Sequence, residues 1–222
     1  MEKLIALLPM KGHSERVHNK NMKLFCGAPL YHAILKKLLQ SKYIGQIAID
    51  TDSKMIREDA LKNFKNVTII DRPEELCGDF VSMNRIIEYD LNHLPGEHFL
   101  QTHSTNPLLT VETLNNAIET YFNNLKNYDS LFSVTLWQTR FYWQNGDPVN
   151  HNPEELIRTQ DLPPVFEENS NFYIFSKNSF LKANSRRIGS KPKMFVTDRL
   201  ESIDIDENTD FELAGFLYSR FK

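Results

Sequence analysis

Short apolar runs alternate with helix-periodic segments along most of this chain, and no other feature restricts its fold as much. The runs are Leu4–Leu8, Ile44–Asp50, Val67–Ile70, Phe99–Gln101 and Ser130–Trp137, each of strand length. Between them, Leu30, Ile34 and Leu38 recur at helical spacing through Ser41, and the pattern predicts further helices over Lys54–Phe64, Val81–Leu91 and Val111–Leu125. Strands alternating with helices imply an α/β fold: a mainly parallel sheet with helices on both faces. Ligands bind such sheets beyond the C-terminal ends of the strands. The loops Met10–Asn21, Asp71–Phe80 and Gln101–Pro107 therefore belong to one site.

The 222 residues, 41% of them apolar, suffice for a single domain over 1–222. The alternation breaks over 137–169, where Trp137, Phe141, Tyr142 and Trp143 are followed by Pro148, Pro153, Pro163 and Pro164. Asn145-Gly146-Asp147 is a hairpin-like turn signal. A small inserted β-rich lobe is expected here, its aromatics packing on a partner or covering the site; a long surface loop whose aromatics plug the parent core is the alternative. Strand character resumes at Asn171–Phe175. A helix, a strand at Met194–Val196, the extended stretch Ser202–Asp206 and a last helix from Asn208 to Phe221 follow.

The net charge of −3 gives no polyanion-binding surface, so nucleic acid is excluded as a main partner. Cys26 and Cys77 have neither metal nor disulfide-framework spacing, which suits a reducing compartment. No apolar run approaches the roughly 18 residues that span a membrane. Leu4–Leu8 is too short for a signal-peptide core, and the expectation is a soluble, cytoplasmic protein.

Two stretches carry chemistry. After Leu8 the chain turns into a polar loop with Lys11, Arg16 and Lys20, where Gly12 and Ser14 let the backbone turn and present N–H groups. Such a loop is a phosphate cradle or a plain solvated loop. Near the end, Asp204 and Asp206 point the same way on an extended segment, a pair of hard oxygen ligands suited to Mg²⁺. Helix capping is the rival reading there, and Asp210 fits the first turn of the final helix. A calcium loop fails, because Thr209 occupies its glycine position and Gly215 its glutamate position. His13, His18 and His103 lie in the site loops, either as proton acceptors or as ordinary hydrogen-bonded histidines. P-loop, GxSxG and zinc signatures are absent from the sequence.

The order of motifs resembles the acylneuraminate cytidylyltransferases, the CMP-sialic acid synthetases. Met10-Lys11-Gly12-His13-Ser14-Glu15-Arg16 with Lys20-Asn21 resembles their opening signature, and Arg72-Pro73-Glu74-Glu75-Leu76 with Asp79 and Ser82 a second motif. Phe99-Leu100-Gln101 with Pro107-Leu108, Tyr128–Val134, Arg158-Thr159-Gln160-Asp161, Glu168–Tyr173 and Ser202–Asp206 match further segments, collinear over nearly the whole chain.

The resemblance implies a nucleotide-diphospho-sugar transferase-like fold. It also implies a nucleotidyltransferase that activates a sialic-acid-like 2-keto-3-deoxy sugar acid with CTP, giving a CMP-sugar and pyrophosphate. By motif, Lys11 and Lys20 would hold the phosphates, with Met10, Gly12 and Ser14 beside them. Asn21, Arg72 and Ser82 would contact the nucleoside; Gln101, His103, Arg158 and Asn169 would face the acceptor; and Asp204 and Asp206 would hold Mg²⁺. The resemblance further implies a homodimer in which the 137–169 lobe reaches the partner's acceptor pocket.

The chain departs from the pattern at Lys11, where the family has Arg and a bidentate fork is lost. It departs also at Leu109, at Ser170 in place of Gly, and at Glu167 and Glu168 beside the acceptor region. These changes leave open transfer to another anionic acceptor, a D-x-D glycosyltransferase reading of Asp204-Ile205-Asp206, and a non-catalytic nucleotide-binding subunit.

Overall fold

Leu4–Leu7 forms the first strand, β1, and all four of its side chains are buried because helices cover both faces of the sheet it belongs to. The structure, a computed structural model, describes residues 2–220. A two-stranded ribbon follows, Leu24–Phe25 (β2) and Ala28–Pro29 (β3), turning at Cys26 and Gly27, which take φ of 48° and 96°. Tyr31–Gln40 (α1) leads to Ile44–Thr51 (β4), Lys54–Asn63 (α2) and Val67–Asp71 (β5). Met83–His93 (α3), His98–Thr102 (β6), Val111–Asn123 (α4) and Ser130–Trp137 (β7) come next. Val165–Ser176 (β8), Lys177–Lys182 (α5), Pro192–Val196 (β9) and Asn208–Arg220 (α6) complete the chain.

The main sheet runs β5-β4-β1-β6-β8-β7-β9. Its pairings are parallel except those of β8, which lies antiparallel between β6 and β7. The expected mainly parallel α/β sheet is therefore present. Strand alternation sorts the core into two layers. Leu4 and Ala6 pack with Ile34 and Leu38 of α1, Ile56 of α2 and Ile118 of α4. Ile5 and Leu7 face the other way, toward Ile87 and Leu91 of α3 and Phe180 of α5.

Element boundaries differ from expectation at several points. The helix predicted over Val81–Leu91 starts at Met83, because the Ser82 hydroxyl accepts the Asn84 N–H at 3.3 Å and caps it. The strand expected at Asn171 begins at Val165, since its outer half pairs with Val134–Trp137 of β7 beyond the reach of β6. Between Trp137 and Val165 the backbone makes the isolated bridge Tyr142–Pro148 and a short 3₁₀ turn at Thr159–Asp161. The hairpin-like turn is there, with Gly146 at φ 89°. The final helix follows its expected course through Arg220; Phe221 lies outside the described residues.

Candidate active site

The parallel strands deliver three loops to one edge, and the loops enclose a cleft of about 340 Å³. Met10, Lys11, Ser14, Arg16, Lys20 and Asn21 line it from the loop after β1. Arg72 and Asp79 come from the loop after β5, His103 to Thr105 from that after β6, and Asp204 and Asp206 from the segment entering α6. That segment is no strand, but the Ile205 N–H donates to the Thr105 carbonyl at 2.9 Å and the Ile205 side chain is buried. The aspartates on either side of it share the cleft face, as the period of two requires. Asp210 accepts the N–H groups of Asp206 and Glu207 at 3.0 and 2.8 Å, fixing this turn against the helix start.

The cleft cations are engaged with its carboxylates. Lys11 Nζ lies 2.6 Å from Asp79 Oδ1, and this ammonium holds the Asp79 carboxyl below the usual range. Arg16 and Lys20 converge on one oxygen of Asp206, at 2.8 and 3.5 Å. Lys20 also donates to the Ile205 carbonyl. Asp204 is exposed as a residue, yet desolvation of its carboxyl, the dominant effect, and the Asp206 charge hold it above the ordinary carboxylate range. Two carboxylates on one cleft face, one of them destabilised in its charged form, make a donor set that a small hard dication relieves. Among the described residues no group of three or more His, Cys, Asp or Glu side chains is placed to hold a metal.

Beneath the cleft lies a buried polar triad. Arg72 Nε donates to Asp50 Oδ1, with the two side chains 5% and 1% exposed. Asp90 on α3 is equally buried. Desolvation pushes both carboxyls up, and the Asp50 charge and hydrogen bond add to the effect at Asp90, which reaches about 9, while Arg72 pulls both back. Asp90 is therefore protonated at neutral pH and gives Asp50 its second partner.

Not every expected residue lines the cleft. The Gly12 N–H donates to Asp52 Oδ1 at 2.6 Å, and a Cβ at Gly12 would sit 2.9 Å from Ser53 Cβ, so this glycine serves close packing. Asn21 bridges loops, donating to the Lys11 carbonyl and accepting from Ser104. Ser82 is a helix cap. Asn169 donates to Thr135, Thr197 and Ser202 in a buried bracket. Arg158 pairs with Asp161 at 2.7 Å on the exposed excursion, outside the cleft. Gln101 is fully buried at the back of the site, 3.2 Å from the Nε2 of His103. Burial, reinforced by Arg187 and Lys20, lowers the His103 pKa from 6.5 to about 4, so its imidazole is neutral.

Sequence reasoning missed Arg187, which donates to Gln101 Oε1 at 2.8 Å from 86 residues away, and it missed the Asp50–Asp90 pair. The only signal for the first is the doublet Arg186-Arg187 before Gly189, and none marks the second.

Comparison with known proteins agrees with this architecture. A pseudaminic acid cytidylyltransferase from Campylobacter jejuni is 27% identical over 97% of this chain and 96% of its own length. An N-acylneuraminate cytidylyltransferase from Escherichia coli is 25% identical over 96% of this chain and 51% of its own length. A solved CMP:2-keto-3-deoxy-manno-octonic acid synthetase complexed with CTP shares the fold over the full length of both chains, with a TM-score of 0.72 at 8% identity. The cytidylyltransferase family model matches residues 5–220, and the chain belongs to this family of nucleotidyltransferases.

Proposed function

We propose that this enzyme transfers the cytidylyl group of CTP to the anomeric hydroxyl of a sialic-acid-like 2-keto-3-deoxy sugar acid. The observation that carries the reading is the convergence of Lys11, Arg16, Lys20 and Arg72 with Asp204 and Asp206 in one cleft at the C-terminal strand edge. The names of the relatives, pseudaminic acid and N-acylneuraminate cytidylyltransferase, support the acceptor class.

In the reaction the acceptor oxygen forms a bond to the α-phosphorus. The bond from that phosphorus to the oxygen bridging to the β-phosphorus breaks, pyrophosphate leaves, and the hydroxyl proton goes to bulk water. Such transfer depends on positioning and charge neutralisation. Lys11, Arg16 and Lys20 supply cations for the triphosphate, and Arg72, locked by Asp50, presents a fixed guanidinium at the cleft wall. Asp204 and Asp206 would hold Mg²⁺, which neutralises phosphate charge when bound. The neutral His103 keeps a third positive charge from crowding Lys20 and Arg187.

The same reading includes a homodimer built on the excursion before β8. Tyr142, Trp143, Leu156 and Ile157 stand 57, 64, 89 and 42% exposed there, an apolar cluster suited to a second copy, and Arg158 beside it would face the partner's acceptor. No helix among the described residues is long and apolar enough to cross a membrane, consistent with a cytoplasmic enzyme.

A screen of pyrophosphate release tests the function, crossing the four nucleoside triphosphates with sialic, legionaminic, pseudaminic and octulosonic acids. CTP- and Mg²⁺-dependent release with at least one acid is expected. Release with none of them, or with a purine nucleotide instead, would overturn the reading.

A further inference from the structure

Arg187 is an unusual cation. Its side chain is 19% exposed, its guanidinium carbon sits over the Tyr173 ring at 3.7 Å from the centroid, and burial lowers its pKa. Its hydrogen bond within the protein goes to a neutral amide, Gln101 Oε1. The nearest carboxylate, Glu168, stays 3.8 Å away with the same oxygen accepting from the Tyr173 hydroxyl. The desolvated charge is thus incompletely compensated, and part of its donor fork is free for a ligand.

Its setting is built and rigid. Asn184 and Ser185 take φ of 58° and 54° and turn the chain out of α5. Beyond Arg187, the Gly189 N–H donates to Ser130 Oγ at 2.8 Å, while Asp129 accepts from the amides of Ser190 and Lys191. A Cβ on Gly189 would lie 2.2 Å from Asp129 Oδ1, so only glycine permits this clamp. A concavity of about 340 Å³ opens beside the guanidinium, walled by Asn84, Glu168 and Ile188. His103, which lines the nucleotide cleft, lies 3.2 Å from the Nε2 of Gln101, and Gln101 Oε1 accepts from Arg187, so one short chain of polar contacts joins the cleft lining to this guanidinium.

We propose that Arg187 anchors the carboxylate of the acceptor, with Gln101 holding the guanidinium in register. The inference rests on the cytidylyltransfer reading above and names the residue that fixes its second substrate. In a 2-keto-3-deoxy sugar acid the carboxylate is attached to the anomeric carbon that bears the reacting hydroxyl. A planar fork that clamps the carboxylate therefore sets that oxygen two bonds away, and the stacked, amide-braced Arg187 does so with little ordering cost.

The test measures steady-state kinetics of Arg187→Ala, Arg187→Lys and Arg187→Gln with the acceptor acid identified by the screen and with its carboxamide analogue. Arg187→Ala should raise the acceptor KM on the order of 100-fold, and Arg187→Lys about 10-fold because it keeps charge without the fork. The KM for CTP should move less than about 2-fold. Wild type should discriminate against the carboxamide, and Arg187→Gln should lose that discrimination, a loss a merely structural role would not produce. If the alanine variant fails to fold, the lysine and glutamine variants carry the same comparison. An unchanged acceptor KM, or undiminished discrimination in Arg187→Gln, overturns the assignment while cytidylyltransfer stands. Absence of turnover by wild type with every acid overturns both.

Discussion

Asp90→Asn isolates a proton that the fold holds and the unfolded chain does not. Asp90 is 1% exposed, and its carboxyl is raised from 3.8 to about 9 by desolvation and by Asp50. A raised acid binds its proton more tightly in the folded state, so the stability it contributes is complete below its ordinary pKa and falls as pH rises toward the folded value. Between pH 6 and 8 the unfolded chain has released the proton and the folded one has kept it. One proton corresponds to about 1.4 kcal/mol per pH unit, so the group alone costs the wild type on the order of 3 kcal/mol over that interval. For a domain of this size that is roughly 5–10 °C in Tm. Asparagine still donates to Asp50, which keeps Arg72 in place, but it has nothing to titrate. Urea unfolding of both proteins at pH 6, 7 and 8 should show their stability difference growing in favour of Asp90→Asn. A difference that stays constant across the three pH values would refute the argument, because it would mean Asp90 is ionised inside the protein.

Other expectations concern the cleft and the backbone. Lys20→Ala removes a cation with a side chain only 15% exposed and should raise the KM for CTP about 10- to 100-fold; unchanged CTP dependence would sink the triphosphate reading. Asp206→Ala should reduce turnover by on the order of 1000-fold with the melting curve intact. The same substitution frees Arg16 and Lys20, so metal-free CTP should bind it more tightly by calorimetry than it binds wild type. Ser170 sits at φ 60°, in the left-handed region that favours glycine, and Ser170→Gly should stabilise the protein by about 1 kcal/mol in thermal melts. Gly189→Ala should do the reverse by at least about 2 kcal/mol, as its new methyl group meets Asp129.

What the sequence revealed and what it concealed divide along the range of the interactions. The apolar runs named every long strand on the cleft side of the sheet, because Leu4–Leu7 and the Ile47–Thr51 part of β4 are buried from both faces and need no polar alternation. The edge loops followed from topology, and the opening loop, Arg72, His103, Asp204 and Asp206 do share a cleft. The outer part of β8 was hidden because Phe166, Glu167 and Glu168 are exposed and owe their conformation to β7, thirty residues earlier. Ser82 and Asn169 carry motif positions but are spent on a cap and a bracket, which no local pattern announces. Arg187 was unreadable for a different reason. Its meaning comes from Tyr173 beneath it and Gln101 beside it, and composition holds no trace of either contact.

The ion pairs across the cleft have a consequence for how its ligands enter. Asp79 and Asp206 act as resident counter-ions for Lys11, Arg16 and Lys20. A triphosphate arriving alone must evict carboxylates from those cations, and a dication arriving alone must evict the cations from Asp206. Arriving together, each releases the partner the other requires. On the proposed reading, loading would then be an exchange of ions in which few charges are newly neutralised, and nucleotide and metal should bind with mutual cooperativity. Affinity for the pair should also fall less steeply with salt than three lysine and arginine side chains would suggest.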